Sequence, residues 1–409
     1  MEITWKKNTA VFLTAQMISL FGSALVQFSI TWHITLVTQS GFYMTLAILC
    51  GFVPTFLLSP FAGVWADRYH RKVLVMLSDG IIAITTLFLA ISILLGYDAL
   101  WPLFVALAIR ACGTAVQMPC IGAILPSIVP EEHLTRVNGI NGSVQSLITL
   151  ISPMLSAVLL KSAPYFSIFF IDVATAALAI GVLLVFFRLP KEEREGRGEG
   201  SSYLEELKTG FFYVTRTPYL RNFFLFLAGF FLLFAPAAFL TPLQATRNYG
   251  QDEFYLMAIE VAFSIGMMLG GLFMATWGGF SNKVHSMGLA AFAMSICTVL
   301  LGLPIPLWCY LGVMGFFGLF MPIFSTPSTV LLQERVDPSY LGRVFSVMTM
   351  ISSSMMPMGM LVFGPLADIM AIEWLLIGTG LAMIVLSALL VKNKPLLEAG
   401  AVQSKDRAN

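Results

Sequence analysis

The sequence predicts an all-α integral membrane protein of twelve transmembrane helices in two pseudo-symmetric six-helix bundles. Three observations predict it. Charge is scarce: of 409 residues, 58% are hydrophobic and 11% charged, against roughly 25% charged in a water-soluble domain. Apolar runs of spanning length recur along the whole chain. Short motifs of the first half also return, in the same order, in the second.

A membrane helix needs about 20 mostly apolar residues. Runs that qualify lie at 9–37, 42–66, 73–95, 101–128, 139–160, 164–187, 219–245, 253–276, 284–303, 306–332, 343–368 and 372–391. An even number puts both termini on one side. The first run follows Lys6 and Lys7 and is longer than the roughly 7–15-residue core of a cleavable signal, so it is expected as a retained helix.

Positive loops resist translocation, and alternate connections hold nearly all the positive charge. Lys6, Lys7, Arg68, Arg71, Lys72, Arg136, Lys283, Arg335 and Arg343 fall on one side. The middle loop and its flanks add Arg188, Lys191, Arg194, Arg197, Lys208, Arg216 and Arg221, and the tail adds Lys392, Lys394, Lys405 and Arg407. The opposite connections hold Lys161 and Arg247, and Arg110 sits inside a span. Both termini are therefore expected in the cytoplasm, with the chain in the cytoplasmic (inner) membrane.

One long polar interruption divides the chain. Residues 191–202 are charged and glycine-rich, the composition of a flexible linker. Residues 203–215 read as an amphipathic helix, with Leu204, Leu207, Phe211 and Phe212 on one face, lying along the inner leaflet. The expected domains are a six-helix bundle over 1–190, a cytoplasmic linker with its helix over 191–217, a second bundle over 218–391 and a tail over 392–409. Three matches support duplication: Met118-Pro119 with Met321-Pro322, Leu134-Thr-Arg-Val137 with Leu341-Gly-Arg-Val344, and Pro153-Met154 with Pro357-Met358. Paired six-helix repeats around a midplane site are common in secondary transporters.

Ionisable groups inside a bilayer are costly and mark function. Arg110, Asp172 and Glu260 each lie about nine residues from the outer end of a span, roughly 12–14 Å deep at ~1.5 Å per residue. They are the proton-coupling candidates. Desolvation disfavours the charged form of any carboxyl, which makes Glu260 the first choice as carrier. Arg110 is expected either to pair with Asp172, leaving that carboxylate structural, or to bias a cavity carboxylate. Polar residues at helical spacing mark wet faces, with small-residue helix packing as the rival explanation. The substrate-cavity candidates are Gln16, Ser23 and Gln27 in span one, Thr114 and Gln117 in span four, Gln145 in span five, Phe230 in span seven and Met356 in span eleven. Methionine repacks around irregular shapes and aromatic faces attract cations; both suit a hydrophobic-drug pocket, and lipid-facing filler explains many of them equally well.

The five cysteines form no C-x-x-C pair and the four histidines no H-E-x-x-H. No G-x-S-x-G and no nucleotide-binding loop is present. An enzyme, a metal site, a cofactor and ATP drive are therefore not expected.

Between spans two and three stands Gly63-Val-Trp-Ala-Asp67-Arg68-Tyr-His-Arg71-Lys72. This resembles the cytoplasmic signature of the major facilitator superfamily, with His70 where that family often has glycine. By resemblance, Asp67 caps or pairs with groups on the partner half, and Arg68 and Arg71 hold a cytoplasmic gate closed. Gly63, Lys72 and Asp79 are expected in the same network. Arg110-Ala-Cys-Gly113 resembles the intramembrane arginine signature of proton-coupled exporters. Ser152-Pro153 with Ser156-Ala157 is similar to an antiporter motif whose Gly-Pro and Gly-Gly pairs are replaced. Ile171-Asp172, Glu260 with Gly266-Met-Met-Leu-Gly270-Gly271, the 277–283 stretch, Gln333-Glu334-Arg335-Val336 and Gly342-Arg343-Val344 resemble the macrolide-efflux branch of drug:proton antiporters.

The resemblance implies proton-driven export of hydrophobic or amphiphilic drugs by alternating access. Its partners are a small amphiphilic substrate, protons and membrane lipid, with no nucleic acid, and the chain acts as a monomer. Export or import of a lipid, siderophore or other metabolite is the alternative; a membrane-embedded enzyme is a more distant one.

Overall fold

A computed structural model describes residues 2–97, 99–187 and 203–401 of the chain. The expected linker core at 191–202, with Arg188, Lys405 and Arg407, lies outside the described residues, as do the side chains of Asp67, Leu204 and Leu207. Among the described residues, twelve helical spans are long and apolar enough to cross a membrane, as the sequence predicts. The reason is elementary: hydrocarbon offers backbone N–H and C=O groups no partners, so each spanning segment must satisfy its own by coiling into a helix.

The order is α1 (Glu2–Thr38), α2 (Gly41–Arg68), α3 (Arg71–Leu94), α4 (Trp101–Ile128), α5 (Glu131–Ser162), α6 (Tyr165–Phe186), α7 (Tyr203–Arg216), α8 (Pro218–Phe239), α9 (Thr241–Asn248), α10 (Glu253–Trp277), α11 (Lys283–Leu301), α12 (Leu307–Arg335), α13 (Pro338–Ile369), α14 (Ile372–Lys392) and α15 (Lys394–Gly400). The seventh span, expected over 219–245, runs over Pro218–Asn248, with a turn at Leu240 between α8 and α9. Pro242 opens α9, where a missing N–H costs least. Starts elsewhere carry side-chain caps: Asp252 accepts from the Phe254 N–H at 3.0 Å, and Asn282 from that of Val284 at 3.0 Å.

The chain forms two compact units. One comprises Met1–Thr38 with Leu46–Gly200, the other Gln39–Thr45 with Ser201–Asn409. Each repeats one packing scheme. In the first, α1 packs on α5 and α6, and α3 on α4 and α6; in the second, α8 packs on α13 and α14, and α11 on α12 and α14. The contents of the two cores differ. The first is threaded by polar side chains; the second is aromatic, with Phe226, Phe230, Phe234, Phe317 and Phe324 in a run of stacked and tilted rings 5.2–6.2 Å apart.

α10 and α12 approach most closely through glycine. A Cβ on Gly266 would collide with the Gly315 carbonyl, and one on Gly318 with the Phe263 carbonyl. Small residues let backbones meet where lipid supplies no hydrophobic drive.

The 203–215 segment is helical, as its pattern predicts, and α7 docks on α13. Tyr213 stacks on Tyr340 at 4.4 Å, Val214 is buried, and Gly210 sits against the Arg343 carbonyl. Phe211 and Phe212 stay exposed.

Candidate functional site

Three helices of the first unit carry polar residues seven positions apart: Gln16 and Ser23 on α1, Asp79 and Thr86 on α3, Arg110 and Gln117 on α4. Seven residues are close to two turns, so each pair shares one face, about 10 Å apart. The result is two polar storeys inside an apolar bundle.

The first storey is a closed ion pair. Arg110 Nη1 donates to Asp172 Oδ2 at 2.6 Å and to Thr86 Oγ1 at 2.5 Å. Its Nη2 donates to the Ser23 carbonyl at 3.1 Å. Thr86 Oγ1 stands 2.9 Å from Asp172 Oδ2, and Ser23 Oγ donates to Oδ1 at 3.3 Å. Arg110 is 5% exposed and Asp172 1%. Gly22 makes room for this: a Cβ there would collide with Thr175 Oγ1 and lie 3.1 Å from Asp172 Oδ1. Every charge has partners, so the pair clamps α1, α3, α4 and α6 together.

The second storey is open. Ser19 Oγ and Gln117 Nε2 both donate to Asp79 Oδ1, at 2.6 and 2.9 Å. Asp79 Oδ2 and both amide atoms of Gln16 have no hydrogen-bond partner among the described residues. Asp79 is 2% exposed and Gln16 3%.

The loop motif sits apart from Asp79. Arg71 Nε donates to the Ala66 carbonyl at 3.2 Å and Nη1 to that of Ala123 at 3.3 Å. Lys72 Nζ donates to the Phe187 carbonyl at 2.7 Å. Cations thus meet backbone oxygens near the ends of α2, α4 and α6, where helix dipoles are negative. Arg68 is exposed, and Gly63 has open space where a Cβ would stand. Asp79 lies eight residues into the bundle from Arg71, about 12 Å at the helical rise.

In the second unit, Glu260 is half-buried on α10. It makes no hydrogen bond or ion pair with a described residue. Ile265, Met268, Leu269, Leu272 and Phe273 form the exposed apolar face of α10, and at 100° per residue Glu260 points away from it. Of the cavity candidates, Gln27, Thr114 and Gln145 are exposed, Ser23 and Met356 half-buried, and Gln16 and Gln117 buried. Phe230 is 1% exposed. It is packed inside the aromatic core, so it does not line an open face.

Sequence reasoning passed over Thr86 and the pairing of Ser19 with Asp79. The signal was the seven-residue spacing repeated in three apolar helices. It also missed Asp368, whose oxygens accept from Ser40 Oγ and the Gly41 N–H at 2.7 Å and from the Phe42 N–H at 3.0 Å. Arg247 Nη2 joins Asp368 at 3.3 Å and the Gln39 carbonyl at 2.6 Å. Asp368 thereby caps the first turn of α2 from another helix, satisfying N–H groups that a helix start leaves free.

Comparison with known proteins places this geometry. The family model described as Major Facilitator Superfamily matches residues 11–360. Macrolide efflux protein A of Streptococcus pyogenes is 30% identical over 379 residues, covering 91% of this chain and 93% of that protein. A protein of the same name from Enterococcus faecalis is 32% identical over 318 residues, covering 76% and 97%. A mutant of the nucleoside transporter NupG superposes with a TM-score of 0.74 at 13% identity, covering 93% of this chain and 99% of that one. Twelve spans in two units of matching packing, the 63–72 signature and a family match across most of the sequence converge: the chain belongs to the Major Facilitator Superfamily, a family of transporters and not of enzymes.

Proposed function

We propose that this transporter exports hydrophobic or amphiphilic drugs, macrolides among them, across the cytoplasmic membrane in exchange for protons, by alternating access. The observation that carries the reading is the exposed polar face of α5. Asn138, Gln145 and Thr149 are exposed on a helix otherwise long and apolar enough to span a bilayer. Lipid cannot solvate such a face; water and an amphiphilic solute can. Thr349 and Ser353 are exposed likewise on α13. The likeness to two macrolide efflux proteins, over 91% and 76% of this chain, supports the substrate class.

Glu260 is the proton carrier in this reading. Among the described residues it makes no hydrogen bond or ion pair and points away from the exposed apolar face of α10, and a group free of such partners is free to gain and lose a proton. Arg110 and Asp172, whose bonds are complete, serve as structure and not as carriers. The twenty-to-two bias of basic residues supports cytoplasmic termini. The protein acts as a monomer, as the family resemblance implies.

The test is reconstitution in proteoliposomes with a panel of macrolides, other drugs, siderophores and lysolipids, with and without a pH gradient. The expected outcome is gradient-driven macrolide transport that in Glu260→Gln falls to the level seen without a gradient, while substrate binding persists. Undiminished gradient-driven transport in that variant removes Glu260 from coupling; no macrolide transport in the wild type removes the substrate.

A further inference from the structure

Among the described residues, the first unit buries one more carboxyl group than its clamp uses. Arg110 is spent on Asp172, one positive charge against one negative, and Asp79 remains. The charged groups facing it are few. α4 presents Arg110 alone, besides two cysteine thiols; α6 presents Asp172 alone, besides Tyr165; α1 carries no charged side chain between Lys7 and His33. No cation is left to balance an Asp79 carboxylate. A buried, unpaired carboxylate costs several kcal/mol, and such a group escapes the cost by becoming neutral.

The bonding pattern has the asymmetry of a neutral acid. An ionised carboxylate has two equivalent acceptor oxygens, and burial favours donors on both. Here two donors, Ser19 Oγ and Gln117 Nε2, converge on Oδ1, and Oδ2 receives none from the described residues. A carboxylic acid is built this way, with a carbonyl oxygen that accepts and a hydroxyl that donates. Gln16 lies one turn before Ser19 on the same face of α1. Its carbonyl oxygen is buried and unpartnered, an acceptor of the kind the acid hydroxyl needs. Sodium is the lesser fit, because it wants several oxygen ligands and Oδ1 is already occupied by two donors.

We propose that Asp79 is a proton-binding site of the first unit, with Ser19 and Gln117 holding the acid's carbonyl oxygen and the Gln16 amide serving as its polar neighbour. Binding is a simple protonation: Oδ2 gains the proton when the site loads and gives it up when the site opens to water. The site stands by itself; only its use in drug exchange rests on the proposed function.

The experiment is infrared titration of the purified detergent-solubilised protein, following the carbonyl stretch of protonated carboxyl groups without substrate or gradient. The expected result is a band that fades as pH rises, is reduced in Asp79→Asn and is retained at the Asp79 frequency in Glu260→Gln. Monodisperse elution verifies that Asp79→Asn is folded. If that variant does not fold, Ser19→Ala supplies the test: it removes a donor that favours the anion, so the band should persist to higher pH, by about one unit. Asp79→Asn spectra that match the wild type, or a Ser19→Ala band with an unmoved midpoint, overturn the proposal. A band abolished by replacing choline with sodium at constant pH also overturns it, in favour of a cation site. A protein that shows the Asp79 band and yet transports no drug against a proton gradient refutes the exchange reading and leaves the site standing.

Discussion

Arg110 and Asp172 illustrate how little a residue's identity says about its role until its partners are known. Both are ionisable groups at mid-membrane depth, the usual mark of a coupling site. Their bonds are nonetheless complete, with each Asp172 oxygen engaged and the guanidinium shared among Asp172, Thr86 and Ser23. Removing one member strands the other. Arg110→Ala or Asp172→Asn should each cost about 3–5 kcal/mol, and a double variant with apolar residues at both positions should recover much of that. Thermal unfolding of the four proteins in detergent checks this. Equal and additive losses would mean that the two groups are not coupled. Asp79, the same kind of group one storey away, is expected to behave oppositely: Asp79→Asn keeps both donors' acceptor and should leave the unfolding temperature within a few degrees of the wild type.

At the scale of elements, the helices are held by two different devices. Polar bonds tie α1, α3, α4 and α6; bare backbone contact joins α10 to α12. Gly266→Leu places a side chain where the Gly315 carbonyl stands. It should separate the two helices at a cost of about 1–3 kcal/mol or more, whereas Gly271→Leu, with open space about its Cα, should be tolerated. Expression and thermal stability of the two variants distinguish them. The spans themselves were legible in the sequence, because an apolar run of fixed length has one stable form in hydrocarbon. Less local features were hidden. The turn at Leu240 depends on Pro242 opening a new helix, and a hydropathy window averages over it. The docking of α7 on α13 depends on Tyr340 and Arg343, residues more than a hundred positions away. The composition of span seven gave no way to separate Phe230 in a packed core from a phenylalanine lining a cavity.

The whole molecule carries its orientation in its loops, a property of charge and not of packing. In a background without native cysteines, Glu131→Cys should react with a membrane-impermeant maleimide only after permeabilisation, and Gln251→Cys in intact cells. The reverse pattern would overturn cytoplasmic termini. Which ionisable groups lie inside the spans was legible in advance: Arg110, Asp172, Glu260 and Asp79. Which of them are already satisfied depends on pairs far apart in the chain, such as Arg110 with Asp172, 62 residues apart; the sequence offered that pairing only as one of two alternatives. One such long-range pairing bears on how the chain can be divided. Asp368 and Arg247 complete their bonds with Gln39, Ser40, Gly41 and Phe42, and the seven residues Gln39–Thr45 pack as part of the second unit. A gene severed at the 191–202 linker would therefore encode a latter fragment lacking a piece of its own body. It would leave a carboxylate and a guanidinium unsheltered until the other fragment delivered the missing turn. Two separately made halves should accordingly be quarrelsome alone and sound only when synthesised together.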